Sequence, residues 1–141
     1  MKVLICLDYS TASDIVLKES ENFLQPFSQA EIYAHTVKDI SVLSAELGFD
    51  ETIRETMETE ANEVKQKAEA VFGTREVRFS SSLGIPVDDI LERARELQCD
   101  LLILGTHGRT GLSHLLIGSV AEQVLRKAEW NTLVIPVKKK L

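Results

Sequence analysis

The chain reads Asp100-Leu101-Leu102-Ile103-Leu104-Gly105-Thr106-His107-Gly108 over its most informative segment, and nine residues further on it reads Gly118-Ser119. A helix-like run follows, through Lys127. A short apolar strand, a loop punctuated by glycines and a helix start form an arrangement that proteins use to hold phosphate. Glycine lets the backbone turn sharply close to an anion, and the free N–H groups of a helix start point at that anion. The segment therefore predicts nucleotide binding.

The remainder of the chain alternates short apolar runs with longer amphipathic segments. Strands are predicted at residues 3–7, 30–37, 76–80, 101–104 and 132–137; helices are predicted from the 10–13 hydroxyl cluster to about 23, and at 50–72, 87–97 and 119–127. Residues 38–49 are interpreted as a connection. This alternation implies a parallel sheet with helices on both faces and right-handed crossovers. No linker or repeat is visible, so one domain over residues 1–141 is expected.

The last helix and the last strand carry two more specific predictions. On the helix, Val120, Val124 and Leu125 are expected to face inward. In the strand, Pro136 indicates that this segment lies at an edge of the sheet or ends there, because proline has no N–H to donate to a neighbouring strand.

Composition excludes several classes of partner. The net charge of the 141 residues is −6, and an acidic surface repels nucleic acid backbones, so no nucleic acid partner is expected. The apolar start at residues 3–7 is too short for a signal peptide or a membrane span, so no membrane association is expected. Cys6 and Cys99 lie in or beside apolar runs, which fits buried thiols in a reducing cytoplasm.

The loop after the first strand is the second candidate for ligand contact, with Asp8, Tyr9 and Ser10. Ligands of open α/β sheets lie beyond the carboxyl ends of the strands, where the strand order reverses. If strands one and four are neighbours, Asp8 faces Gly105 across one crevice. Asp8 would accept hydrogen bonds from ribose or adenine, or hold a metal ion shared with phosphates. The alternative is that Asp8 only caps the following helix.

The glycine loop is long: twelve residues, 106–117, separate Gly105 from Gly118. Connections in α/β units usually have about 2–6 residues, and longer ones are commonly functional. Gly105 and Gly108 suit close backbone approach, whereas Gly118 and Ser119 would offer N–H groups and a hydroxyl to phosphate. In the same loop Arg109 would add a charged contact and His107 would touch phosphate or serve only as a loop residue. The alternative is that the glycines only solve turn geometry.

Other catalytic and nucleotide motifs are missing from the sequence. No lysine precedes a serine or threonine in a Gly-x-x-x-x-Gly-Lys-Ser/Thr pattern, and the first turn, residues 8–11, lacks Gly-x-Gly-x-x-Gly. The three histidines lack metal-ligand spacing with either cysteine, and His35, inside a strand, is interpreted as structural. No general base is evident beside the glycine loop, so no catalytic or metal-ligating residue is assigned.

These residues resemble the universal stress protein family, in its ATP-binding group. The motif of that family, Gly-x2-Gly-x9-Gly-Ser/Thr, is met by Gly105, Gly108, Gly118 and Ser119. Residues 3–10 are similar to the first strand of the family with its aspartate, and residues 84–86, 100–104 and 118–125 lie where the pattern expects them. Two departures stand out: Glu129-Trp130-Asn131-Thr132 replaces a small residue and a proline, and Tyr9 replaces a smaller or different residue.

The resemblance implies an open five-stranded parallel sheet in the order 3-2-1-4-5 with helices on both faces, a Rossmann-like α/β fold similar to the adenine nucleotide alpha hydrolases. It implies ATP across the ends of strands one and four, accompanied by Mg²⁺ or Mn²⁺, and a homodimer through residues 132–137. The ATP-binding residues so expected are Leu7, Asp8, Tyr9, Ser10, Val37, Leu104, Gly105, His107, Gly108, Arg109, Gly118, Ser119 and Val120.

Within that set, the resemblance places Leu7, Asp8 and Val37 around adenine and ribose. It assigns the ribose and the phosphates to Gly105, Gly108, Gly118, Ser119 and Val120. Tyr9 would narrow the pocket or stack on a base.

Three functions remain open from the sequence. The first is a cytoplasmic, ATP-binding sensor or regulatory module of the stress response that signals to protein partners. The second is a slow ATPase or phosphotransferase, and the third is a dimeric interaction protein that needs no nucleotide. The residues do not separate ATP from ADP, AMP or a cyclic nucleotide.

Overall fold

The computed structural model describes residues 1–41, 51–106 and 117–137. Its strands are β1 (Lys2–Leu7), β2 (Glu31–Asp39), β3 (Val77–Gly84), β4 (Leu101–Gly105) and β5 (Asn131–Ile135). Its helices are α1 (Ala12–Leu24), α2 (Glu51–Phe72), α3 (Pro86–Leu97) and α4 (Ser119–Lys127). The strands are parallel and form one sheet in the order β3-β2-β1-β4-β5. The expected α/β fold class and strand order are confirmed.

Strand β1 lies at the centre of the sheet because its residues are apolar on both faces. Val3, Leu4 and Ile5 are fully buried. Val3 and Ile5 belong to the core under α1 and α2, whereas Leu4 belongs to the core under α3 and α4. A near-continuous apolar run is what a strand covered by helices on both sides requires. The sheet thus has helices on both faces, as expected.

Strands β1 and β4 are direct neighbours, which confirms the condition for a shared crevice. Val3 is paired with Leu101 and Ile5 with Ile103, so the two strands run side by side towards their carboxyl ends. On the other side β1 pairs with β2. The chain adds β2 and β3 on one side of β1 and then crosses to add β4 and β5 on the other side. The strand order therefore reverses between β1 and β4, and open α/β sheets bind ligands at such a reversal.

Strand β3 is longer than the sequence predicts. It spans Val77–Gly84 rather than residues 76–80, and its ladder with β2 runs from the pair Ile32–Val77 to the pair Asp39–Gly84. The serines at its centre carry no apolar alternation that would reveal a strand. Pairing with β2 determines the strand instead, and it also extends β2 to Asp39, into the segment interpreted as a connection.

The prediction for helix α4 is wrong at two of three positions. Val124 is fully buried, but Val120 and Leu125 are exposed, and Ala121 takes the inward position. Ala121 and Val124, three residues apart, form the face against the sheet. The prediction for Pro136 is confirmed, because β5 is an edge strand and ends at Ile135. None of the helices in the three described ranges is both long and apolar enough to cross a lipid bilayer.

Candidate functional site

A cavity of about 320 Å³ lies at the carboxyl ends of β1 and β4. Nine of the residues expected at the ATP site line it: Leu7, Asp8, Tyr9, Val37, Leu104, Gly105, Gly118, Ser119 and Val120. Ser10 does not line the cavity but bonds to a residue that does. His107, Gly108 and Arg109 lie outside the described residues. The fold thus brings together residues from the ends of three strands and from one helix start.

Asp8 is held in place by two serines of the turn into α1. Its Oδ1 accepts hydrogen bonds from the Ser10 backbone N–H at 2.9 Å and the Ser10 hydroxyl at 2.6 Å. The single hydrogen of the Ser13 hydroxyl is shared between the Asp8 carbonyl oxygen at 2.8 Å and Oδ1 at 3.1 Å. The Ser13 Oγ also accepts the Asp8 backbone N–H at 2.9 Å. These bonds cap the turn that leads into α1, but they involve only one of the two carboxylate oxygens. The other oxygen, Oδ2, accepts no hydrogen bond from the described residues and remains available to a ligand.

Tyr9 forms a fixed wall of the cavity. Its hydroxyl accepts a hydrogen bond of 2.7 Å from the hydroxyl of Thr36, a fully buried residue of β2. The Lys38 ammonium lies 4.9 Å from the centre of the Tyr9 ring and 2.7 Å from a carboxylate oxygen of Glu60 on α2. The aromatic residue at this departure from the family pattern is therefore bonded to β2 and, through Lys38, connected to α2.

Helix α4 begins at the cavity, but the backbone N–H groups that are free at its start are not those expected from the sequence. The Gly118 N–H donates to the Thr106 carbonyl oxygen at 2.7 Å, so Gly118 does not offer this group to an anion. The first N–H with a partner inside the helix is that of Glu122, which donates to the Gly118 oxygen. The N–H groups of residues 119–121 have no acceptor among the described residues, and no side chain caps this helix start. They are the donors that an anion would meet.

Thr106 fixes the end of β4 to the neighbouring edge strand. Its backbone N–H donates to the Ile135 carbonyl oxygen at 2.9 Å, and its Oγ1 accepts the Val137 backbone N–H at 3.0 Å. With the bond from Gly118, Thr106 holds together the end of β4, the end of β5 and the start of α4. The hydrogen bonds of Thr106 therefore connect the helix start to the strand end at Gly105.

Sequence reasoning did not single out several residues of the cavity wall. The residues so missed are Cys6, Ala12, Ser13, Val16, His35, Asp39, Pro86, Ile90, Thr106 and Ala121. Strand alternation would have found two of them, because His35 and Asp39 lie two residues either side of Val37 on the same face of β2. Asp39 adds a second carboxylate to that of Asp8. The described lining residues include no lysine or arginine.

The two cysteines of the fold are buried, and burial raises the pKa of both thiols. Cys6 lines the cavity and Cys99 lies at the start of β4, and both are buried free thiols. Burial, with smaller contributions from Cys99 and Asp89, raises the pKa of the Cys6 thiol far above its usual range. Burial, with a contribution from Asp100, raises the pKa of Cys99 to about 11. Both side chains therefore stay protonated at neutral pH, whereas the thiolate is the reactive form.

Two acidic side chains of the cavity bear on whether it could hold a metal ion. In the part of the chain that the structure describes, no group of three or more His, Cys, Asp or Glu side chains could hold a metal ion. Asp8, after β1, and Asp39, at the end of the neighbouring strand β2, would supply one carboxylate each.

Comparison with known proteins identifies relatives over nearly the whole chain. The 35% identical universal stress protein MJ0531 of Methanocaldococcus jannaschii matches 99% of this chain and 84% of its own length. The universal stress protein MJ0577 of the same organism is 30% identical, matching 95% of this chain and 93% of its own length. The solved structure of MJ0577 superposes with a TM-score of 0.81, covering 99% of this chain and 97% of that one at 28% identity.

A further solved structure shares the fold at lower identity. It is a universal stress protein in complex with cAMP, with a TM-score of 0.69, 22% identity and coverage of 96% of each chain. The model of the universal stress protein family matches residues 1–136. With the five-stranded order and these relatives, the chain belongs to the universal stress protein family.

Proposed function

We propose that this protein is an ATP-binding sensor or regulatory module of the stress response, working in the cytoplasm as one domain over residues 1–141. The observation that carries the proposal is the cavity between the ends of β1 and β4. This cavity combines apolar walls, the Asp8 carboxylate with its unbonded Oδ2, and the start of α4, which no side chain caps. The cAMP complex of a protein with this fold supports an adenine nucleotide as the ligand class.

The two ends of the cavity suit the two ends of a nucleotide. Leu7 and Val37 supply apolar contact for a base, and Asp8 Oδ2 supplies an acceptor for a ribose hydroxyl. At the other end the N–H groups of residues 119–121 would bind phosphate, with the helix dipole behind them. Ser119 would add its hydroxyl.

Charge balance favours a cation together with the triphosphate. Asp8 and Asp39 are both negative, and the described lining residues contribute no positive side chain. Phosphates close to these carboxylates would be repelled unless a cation or an arginine intervened. Mg²⁺ or Mn²⁺ bound to the phosphates would reduce this repulsion, as would Arg109, which the sequence analysis assigns to the phosphates.

A slow ATPase or phosphotransferase is the second candidate. Phosphoryl transfer needs an aligned nucleophile, a metal and stabilisation of the developing charge. Among the residues of the cavity, the Asp8 carboxylate is the best candidate for a general base. Its Oδ1, however, already accepts hydrogen bonds from Ser10 and Ser13. This arrangement favours binding over turnover, and we assign no catalytic residue to this cavity.

We also propose a homodimer through the edge strand β5, with protein partners that respond to the bound nucleotide. One edge of β5 pairs with β4, and among the residues that the structure describes no strand lies beside its other edge. Such an edge is a template for pairing with a second copy. Sedimentation of Thr132→Lys, which places a charge on this edge, should show a monomer if β5 forms the contact. An unchanged dimer would refute this interface.

The test of the proposed function starts with the purified protein and its bound small molecules. The protein is extracted with acid, and the released compounds are identified by chromatography and mass spectrometry. Stoichiometric ATP supports the sensor, and ADP or AMP supports turnover. If no nucleotide is released, the protein is titrated with Mg-ATP in a calorimeter; absence of heat at that point leaves the interaction protein that needs no nucleotide.

A further inference from the structure

A second cavity, of about 290 Å³, lies between the edge strand β3 and helix α3. Side chains that can carry chemistry line it, among them those of His35, Ser80, Ser82, Asp89 and Arg93. Only His35 also borders the nucleotide cavity. The group is therefore a separate polar site that the proposed nucleotide function does not use.

His35 lies at the centre of this group and makes two short hydrogen bonds. Its Nε2 is 2.6 Å from Oδ1 of Asp89, and its Nδ1 is 2.8 Å from the hydroxyl of Ser80. The Ser82 hydroxyl is further away, 3.3 Å from Nε2. His35 is only 3% exposed, whereas Ser80 and Asp89 are half-buried at the cavity wall. A buried imidazole thus links a carboxylate to a serine that a ligand can reach.

The proton positions follow from what each group can donate. A carboxylate only accepts, so the hydrogen between His35 and Asp89 is carried by Nε2. In the neutral imidazole Nδ1 then has a lone pair, and the Ser80 hydroxyl must donate to it. Ser82 faces the nitrogen whose hydrogen is already given to Asp89. The serine that the imidazole can deprotonate is therefore Ser80.

Arg93 has a side-chain N–H donor without a hydrogen-bond partner in the described residues. Its Nε is buried and has no hydrogen-bond partner among the described residues, although its Nη1 is 3.1 Å from a carboxylate oxygen of Glu96. An unpaired buried donor is unusual and calls for an explanation. Arg93 also lines the same cavity as Ser80, so its guanidinium group is placed beside any molecule bound there.

We propose that Ser80 is a nucleophile, activated by His35 and oriented through Asp89, and that this cavity hydrolyses short-chain, uncharged carboxylic esters. A serine, a base and an acid that orients the base form a constellation that is recognised by geometry and roles rather than by position in the chain. The cavity is lined by three carboxylates, those of Asp89, Glu92 and Glu96, and by one arginine, so its net charge is negative. An anionic acyl group would therefore be repelled.

The reaction proceeds in two balanced halves. The Ser80 oxygen attacks the ester carbonyl carbon while its proton passes to Nδ1 of His35, and the positive charge of Arg93 at the cavity wall stabilises the developing oxyanion. The ester C–O bond breaks, and the leaving alcohol takes the proton from His35, which leaves an acyl-serine. Water then attacks the acyl carbon and gives its proton to Nδ1. That proton returns to Ser80 as the carboxylic acid departs.

The experiment uses the whole chain, free of nucleotide, with a small uncharged fluorophosphonate that reacts with activated serines. The Ser80 oxygen displaces fluoride from phosphorus, and peptide mapping locates the adduct. We expect the adduct on Ser80, forming roughly 100-fold more slowly in Asp89→Asn, which keeps the shape of the side chain but cannot hold the imidazole in this tautomer. Hydrolysis of p-nitrophenyl acetate should fall by a similar factor in Ser80→Ala.

Two controls separate this chemistry from folding. Ser81→Ala removes the hydroxyl of the exposed neighbour, which is not among the hydrogen-bond partners of His35 in the described residues, and should leave both rates unchanged. Thermal unfolding of each variant shows that it is folded. The proposal is overturned by a folded wild-type protein without an adduct on Ser80, by an adduct on another serine, or by equal labelling rates in wild type and Asp89→Asn. Since no nucleotide is present, failure here leaves the nucleotide proposal untouched.

Discussion

The backbone N–H of Gly118 donates a hydrogen bond to the Thr106 carbonyl oxygen at 2.7 Å, closing the glycine loop at its base. Gly118 has φ −61° and ψ 155°, a backbone conformation that any L-residue adopts. Its lack of a side chain is consequently not required by the turn. In the proposed function, the absence of a side chain keeps the next N–H groups open to phosphate.

The first prediction concerns Gly118→Ser. Serine is a favourable residue at a helix start because its hydroxyl accepts an N–H from the first turn. That hydroxyl would occupy donors which the proposed function assigns to phosphate. We expect an equal or higher melting temperature together with a loss of about tenfold or more in Mg-ATP affinity by calorimetry. Unchanged affinity in the folded variant would show that these N–H groups do not bind the ligand.

The second prediction concerns Asp8→Asn. The amide oxygen keeps an acceptor for Ser10, but the charge that strengthens a bond to a ribose hydroxyl is lost. We expect Mg-ATP affinity to fall by about tenfold or more. The matched control is Asp14→Asn, an exposed carboxylate in the first turn of α1, which should bind as the wild type does. If the two variants bind equally well, Asp8 is only a cap of α1.

The third prediction concerns the stability of the cavity wall. Tyr9→Phe removes the acceptor of the Thr36 hydroxyl, which is fully buried and cannot turn to water. We expect the free energy of unfolding in urea to fall by about 1–3 kcal/mol. Tyr33→Phe is the control, because its hydroxyl bonds the half-exposed Arg78 and Glu31, which water can solvate instead. An equal loss in both variants would contradict this account.

The fourth prediction concerns alkaline pH. The pKa of Cys99 is raised from 9.0 to about 11 by burial, and that of Cys6 is raised further. Above pH 9 the unfolded chain releases these thiol protons while the folded chain keeps them, so the unfolded state binds fewer protons and stability falls as the pH rises. The free energy of unfolding should therefore decrease between pH 9 and 11, and less steeply in Cys99→Ala. Equal slopes in both proteins would be evidence against a raised pKa.

The fifth prediction concerns Gln98, which ends helix α3 with φ 51°, in the left-handed region. Glycine enters this region without the steric penalty of a Cβ atom. Gln98→Gly should raise the melting temperature slightly, by an amount that corresponds to about 1 kcal/mol. The same change at exposed Gln66, inside α2, should lower stability by about 1 kcal/mol. A lower melting temperature for Gln98→Gly would exclude strain at this helix end.

Local patterns were enough to predict most of the fold. The apolar run of β1 and the spacing of Ala61, Val64 and Ala68 on α2 reflect which faces are buried, and burial follows the periods of strand and helix. At the end of α2 the same spacing predicts Val71 on the buried face, but Val71 is exposed and Phe72 is buried instead. The serines of β3 carry no such pattern, so its length could not be predicted. The exposed position of Val120 could not be predicted either. Helix α4 has nine residues with apolar side chains on several sides, so its sequence does not determine which side packs against the sheet.

The amino-acid sequence alone determined the alternation of strands and helices, the glycine loop and hence the edge of the sheet at which a ligand would lie. These features depend on neighbours in the chain. Tertiary structure decided which hydrogen-bond donors are free at Gly118 and how Asp8 is bonded. It also brought His35 to Asp89, 54 positions away, and so assembled a site whose members have no common motif. Contacts at such separation depend on the packing of helices on the sheet, which no local spacing records.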